Sequence, residues 1–137
     1  MFIEPSIRVM IIDDNALIRT ATKIVLSTCK RFITIGEAPD GYTGIRMAID
    51  LNPDVILMDI NMHPLDGIKT TRKLLSHLPE MTIIGFSALP YPRQEKEIID
   101  AGAVGVINKS SSRQDICDGI IQLFEQRRAF RNLGHDE

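Results

Sequence analysis

Five short apolar runs, none of them alternating with polar residues, punctuate the chain at residues 7–12, 32–36, 55–58, 81–86 and 104–107. Runs of that length predict strands buried on both faces. Between them the apolar spacing lengthens to that of a helix. Leu17, Ala21, Ile24 and Val25 fall on one face, as do Ile45, Ala48 and Ile49, and later Ile116, Ile120, Leu123 and Phe124. A helix over 93–101 is the least marked, being short, charged at its start and preceded by Pro90 and Pro92; it is expected to be mobile. Strand and helix alternate, with connections long enough for crossover helices. This predicts an α/β fold, a parallel sheet covered on both sides in a doubly wound three-layer α/β/α sandwich. The last helix should end near Arg127 or Arg128, which makes 5–128 one domain and 129–137 a polar tail or the start of a linker.

A chain of 137 residues has the length of one domain able to bury its own core. Sixteen basic and eighteen acidic residues leave a formal net charge of −2, which removes the broad attraction on which nonspecific DNA binding depends. Direct nucleic-acid binding by this domain is therefore not expected. Cys29 and Cys117 have no CxxC spacing and read as reduced thiols in or near the core, as in a reducing cytoplasm. No basic leader with a following apolar stretch opens the chain, and no run approaches the ~20 apolar residues of a membrane span. A cytoplasmic protein with no membrane partner is expected.

In an open α/β sheet, ligands bind beyond the carboxyl ends of the strands. The residues found there are Asp13-Asp14-Asn15, Asp59-Ile60-Asn61, Ser87-Ala88 and Asn108-Lys109. Three carboxylates in one crevice repel each other by roughly 4 kcal/mol per pair at 4 Å in an effective dielectric of 20. A divalent cation with oxygen ligands offsets that repulsion. Mg²⁺ suits the site best, with Mn²⁺ as a substitute, because it needs few carboxylates and leaves positions for phosphate oxygens. Lys109 supplies further positive charge. In that setting Asp59 is a competent nucleophile toward phosphorus, Ser87 a hydroxyl donor to a phosphoryl oxygen, and Ala88 a residue small enough to keep the entry path open.

Taken singly, these residues have plainer readings. An Asp-Asp pair after a strand caps a helix, Asp59 sits in a turn, Lys109 is a solvated charge, and Ser87 caps or bonds locally. Asp66-Gly67 reads as turn and cap chemistry. His63, His77 and His135 lack metal-ligand spacing, although His63 is near enough to Asp59 to modulate it.

The acidic pair, VILMDINMHPLDG, FSA and GAVGVINK together resemble the response-regulator receiver family in order and spacing, from about Ile7 to Arg127. The resemblance implies a flavodoxin-like fold with a five-stranded sheet in the order 2-1-3-4-5 and five helices. It implies that Asp13 and Asp14 bind Mg²⁺ together with Asp59 and the backbone carbonyl of Asn61. Asp59 would take phosphate from a histidine kinase or a histidine phosphotransfer protein, with Asn61, Ser87, Ala88 and Lys109 around the phosphoryl group. The chain would act as a signalling switch, catalysing only its own phosphorylation and dephosphorylation. Its output surface would be the face of the fourth helix, fifth strand and fifth helix, serving a homodimer, a partner or an attached domain that controls transcription.

Three positions depart from the family. Val106 replaces the aromatic residue whose ring turns inward on activation, so either the signal should pass through Ser87 and the loop from Ala88 to Pro92 or the output should depend less on side-chain rotation. Ser110 replaces a proline, which predicts either a trans or a strained bond after Lys109, since a cis bond there would cost ~2.5 to 4 kcal/mol. His63-Pro64 places the proline one residue late, so the loop past Asp59 should differ in shape. Other readings are disfavoured by chemistry. A flavodoxin-type cofactor binder needs amide-rich glycines after the first strand, where this chain has two acids. A haloacid-dehalogenase-type phosphohydrolase needs an acid two residues after the nucleophile, where this chain has Asn61. A receiver-shaped scaffold that never takes phosphate, as in relatives that have lost the aspartate or the lysine, ranks lower because all five key residues are present, and Val106 is the departure that keeps it open.

Overall fold

The structure is a computed structural model and describes residues 5–88 and 91–134. Five strands, β1 (Ile7–Ile12), β2 (Phe32–Ala38), β3 (Val55–Asp59), β4 (Thr82–Ser87) and β5 (Gly105–Asn108), alternate with α1 (Ala16–Ser27), α2 (Gly41–Leu51), α3 (Gly67–His77), α4 (Pro92–Asp100) and α5 (Arg113–Gly134). All pairings are parallel, in the order β2-β1-β3-β4-β5. The chain turns back on itself between β2 and β3, and the carboxyl ends of β1 and β3 lie side by side at that reversal.

Because successive strand residues point to opposite faces, each apolar run feeds two cores. Val9, Ile11, Val55 and Leu57 pack with Leu26 of α1 and with Ile116, Ile120 and Phe124 of α5. Met10, Ile12, Ile56 and Met58 pack with Ala48 of α2, Leu74 of α3 and Ile98 of α4. Unbroken apolar runs were thus required, at about 1.5–3 kcal/mol for each large side chain fully buried.

Two expectations need correction. The apolar stripe of α1 is not its core face: Leu17 and Ile24 are 81% and 61% exposed, while Thr22 and Leu26 are buried. Thr22 is tolerated inside because its hydroxyl donates to the Ile18 carbonyl at 2.8 Å, which removes the cost of an unpaired polar group. The same holds in part for α2, where Ile49 is 46% exposed. The last helix does not stop at Arg128 either; α5 continues to Gly134, and residues 135–137, including His135, lie outside the described residues. Apolar periodicity fades where the sheet ends, but Ala129, Arg131 and Leu133 are good helix formers, and Arg131 Nη1 donates to the Glu80 carbonyl at 2.9 Å. The fourth helix does form, one residue earlier than expected, with Pro92 in its first turn as suits a residue without an N–H.

Candidate functional site

Each strand end delivers one part of the cleft. Asp13 follows β1, Asp59 and Ser87 are the last residues of β3 and β4, and Lys109 follows β5. The helix-cap reading of the acidic pair fails because Asn15 does that work, accepting from the Ile18 N–H at 3.1 Å. Asp14 is left facing solvent, and Asp13, 1% exposed, points inward. Asp66 is the cap of α3, as read, accepting from the Lys69 N–H at 2.8 Å.

Asp13, Asp14 and Asp59 each bring a carboxylate oxygen within 4.8 Å of the others. The Lys109 ammonium stands 2.5 Å from Asp13 Oδ2 and 3.4 Å from Asp59 Oδ1, with the Phe86 ring 5.8 Å away at its centroid. One ammonium against three carboxylates leaves two negative charges uncompensated. Burial pushes the Asp59 carboxyl up to about 6, and the charge of Asp13 adds to the rise despite the pull of Lys109 and of the Asn61 N–H. That donor set, hard oxygens with surplus negative charge and open to solvent on one side, fits a divalent cation such as Mg²⁺.

Asn61, Ser87, Ala88 and Lys109 line the same open cleft of about 510 Å³ as the three carboxylates. Ser87 is 1% exposed, and its carbonyl accepts from the Lys109 N–H at 2.8 Å, which fixes β4 against the turn carrying the lysine. Val106 lies outside the cleft. It packs in the core that contains Ile98, and a Cβ on neighbouring Gly85 would stand 3.1 Å from its Cγ2. Among the described residues the cis peptide is His63–Pro64, so the bond from Lys109 to Ser110 is trans. Leu89 and Pro90 of the expected signalling loop lie outside the described residues.

Tyr91, inside the loop expected to carry the signal, stands on the cleft wall. Three participants were not legible beforehand: Gln94, bonded to Asn61, and the pair Arg19 and Glu37. Arg19 Nη1 donates to the Asp13 backbone carbonyl at 2.7 Å and its Nε to Glu37 at 2.9 Å. Lys23 also pairs with Glu37, and these two cations hold Glu37 below the usual carboxylate range. Arg19 braces the turn that aims the acidic pair. Second-layer partners of this kind set metal affinity by about 10–100-fold. Arg19→Met is therefore expected to weaken Mg²⁺ binding by about tenfold in a calorimetric titration. Wild-type affinity would show that the turn holds itself.

A five-stranded doubly wound sheet with three carboxylates and a lysine at its carboxyl edge defines a receiver domain. The chain belongs to the response regulator receiver domain family, whose profile matches residues 9–121. It is 37% identical over 114 residues to the transcriptional regulatory protein LiaR of Bacillus subtilis, covering 83% of this chain and 54% of that protein. It is 30% identical over 125 residues to the response regulator GacA of Pseudomonas aeruginosa, covering 89% and 57%. The chain thus spans a little over half the length of these relatives. Among solved structures, the signal receiver domain of the response regulator NarL from Mycobacterium tuberculosis superposes with a TM-score of 0.83 at 26% identity, covering 89% of this chain and 98% of that one. The response regulator domain of Thermotoga maritima CheB gives 0.77 at 29% identity, covering 89% and 96%.

Proposed function

We propose that the chain is a phosphorylation switch in which Asp59 accepts a phosphoryl group from the phosphohistidine of a histidine kinase or histidine phosphotransfer protein. The observation that carries this reading is the burial of Asp59 beside Asp13, Asp14 and Lys109. An Asp59 carboxylate oxygen attacks phosphorus, the P–N bond breaks, and its electron pair leaves with the imidazole. The Lys109 ammonium and the Ser87 hydroxyl hold phosphoryl oxygens, and Asp13, Asp14, Asp59 and the Asn61 carbonyl would hold Mg²⁺, or Mn²⁺ in its place. Bound there, the ion supplies neutralising charge to the transferring phosphoryl oxygens. With Asn61 where a hydrolase has its second acid, no proton donor stands ready for turnover, which suits a switch that catalyses only its own modification.

The output we infer is a change in the face made by α4, β5 and α5, read by a second copy, by a partner or by an attached domain, with control of transcription as in LiaR. No described helix is long and apolar enough to cross a membrane. The switch we infer is cytoplasmic, and the formal net charge of −2 argues against direct nucleic-acid binding by this domain.

Phosphoramidate carries the same P–N bond as phosphohistidine and is the donor to use. Mg²⁺-dependent modification of the wild type is expected, and none under saturating Mg²⁺ would sink the reading. Lys109→Ala should still be modified, because the acidic cluster remains, but should lose the response. Sedimentation velocity checks this: the phosphorylated wild type shifts in mass or shape, the modified variant does not. An unchanged shift in Lys109→Ala would remove the lysine from signalling.

A further inference from the structure

The first turn of α4 is fastened unlike that of any other described helix. Asn15, Asp40 and Asp66 cap α1, α2 and α3 through their side chains, and the Ser112 hydroxyl accepts from the Asp115 N–H in the first turn of α5. Tyr91, before α4, makes no side-chain cap bond. The far end of α4 is anchored by Ile98, which is fully buried. Its near end is tied by Gln94, whose Nε2 donates to Asn61 Oδ1 at 2.7 Å. Asn61 is the second residue after Asp59, and its own N–H donates to Asp59 Oδ1 at 3.2 Å. An unbroken chain of bonds therefore runs from the acceptor carboxylate through the Asn61 peptide and side chain to α4, and Val106 is no part of it.

We propose that Gln94 is a positioning residue that couples the state of the Asp59 site to α4 through Asn61. The proposal rests on the receiver reading for what occupies the site. Any ligand that draws on the Asp59 carboxylate competes with the Asn61 N–H for it and turns the Asn61 peptide. The Asn61 side chain turns with it. Gln94 has the means to answer, because its Oε1 is buried with no hydrogen-bond partner among the described residues. With the present arrangement, amide nitrogen meets amide oxygen; with both amides turned over, Gln94 Oε1 accepts from Asn61 Nδ2 instead. Two bonded arrangements of one amide pair make a two-state element at the base of a helix whose other first-turn side-chain bond among the described residues, Arg93 to Glu97, stays within the helix itself. Asn61 is exposed and Gln94 half-buried, so there is room for the exchange.

The test is hydrogen exchange of the α4 amides in the full chain, comparing wild type, Gln94→Leu, Asn61→Ala and the double variant, with and without Mg²⁺ as the only added ligand. Without Mg²⁺, each single variant should speed exchange in the first turn of α4 by about threefold, the scale of one surface-accessible hydrogen bond. The double variant should be no faster than either single one, since both remove the same interaction. Adding Mg²⁺ should shift α4 exchange in the wild type and leave it unmoved in Gln94→Leu, although the variant keeps every metal ligand. Additive effects in the double variant, or a Mg²⁺ response in Gln94→Leu equal to that of the wild type, would overturn the proposal. So would a wild-type α4 that ignores Mg²⁺. Calorimetry on the same samples then separates two failures: Mg²⁺ bound without a response refutes the coupling alone, and Mg²⁺ not bound refutes the receiver reading with it.

Discussion

Asp59→Asn is expected to abolish phosphoryl uptake while making the metal-free domain more stable at neutral pH. The first effect is chemical, because an amide offers no anionic oxygen to phosphorus. The second follows from the weakened acidity of the buried carboxyl. Burial holds the Asp59 carboxyl at about 6 in the fold, against 3.8 for the free group. Between those values the folded state binds more protons than the unfolded chain, so stability falls as pH rises through that window and stays lowered above it. An Asn side chain has no such cost. Allowing for the coupling to Lys109 and Asp13, the gain at pH 7 is on the order of 1–3 kcal/mol, and it should shrink toward zero at pH 4. Urea unfolding at the two pH values measures it. Mg²⁺ should stabilise the wild type and close much of the gap, since a cation beside Asp59 offsets the cost of its buried charge. A variant less stable than wild type at pH 7 without metal would show that the Asp59 carboxylate helps hold the fold together.

Gly67→Ala should be among the most damaging single changes in the domain. Gly67 opens α3, and its N–H donates to the Ile60 carbonyl at 2.8 Å. A Cβ there would press into the Asp59 carbonyl oxygen and stand 2.8 Å from Ile60 Cα. These are backbone atoms of the acceptor loop and no rotamer change relieves the clash. Either α3 or the loop must move. Overpacking of a well-packed core costs about 1–3 kcal/mol, and a backbone collision belongs at or above the upper end, about 3 kcal/mol. A displacement of Asp59 by about 1 Å would further slow phosphoryl uptake by roughly a hundredfold. Denaturation together with uptake kinetics reads both. Wild-type stability with wild-type uptake would mean that the β3–α3 loop yields far more easily than its contacts indicate.

The layering of the fold was legible because apolar runs and helical spacing are local signals. So was the site, since doubly wound topology brings strand ends together and the reactive residues stand there in sequence. Periodicity shows which residues share a helix face, but not which face the sheet covers. On α1 the buried line includes Thr22 and the exposed one Leu17 and Ile24, the reverse of what hydrophobicity suggests. The end of α5 was misplaced for a related reason: its last turns are held by intrinsic propensity and by Arg131 on Glu80, with no core to impose a pattern. Arg19 and Gln94 were missed because their roles lie in contacts to Asp13 and Asn61 that exist only once helix and loop are docked. The spacing of Arg19 from the acidic pair was the one available hint.

Intact mass measurement after incubation with Mg²⁺ and acetyl phosphate, followed by borohydride reduction and peptide mapping, tests the central claim most directly. Hydride reduces an acyl phosphate to the alcohol, so a phosphorylated aspartate is read out as homoserine at its own position. The predicted result is one added phosphoryl group, absent with EDTA, and homoserine at position 59. An unmodified chain in the presence of bound Mg²⁺, or homoserine at Asp13 or Asp14 in place of Asp59, would contradict it.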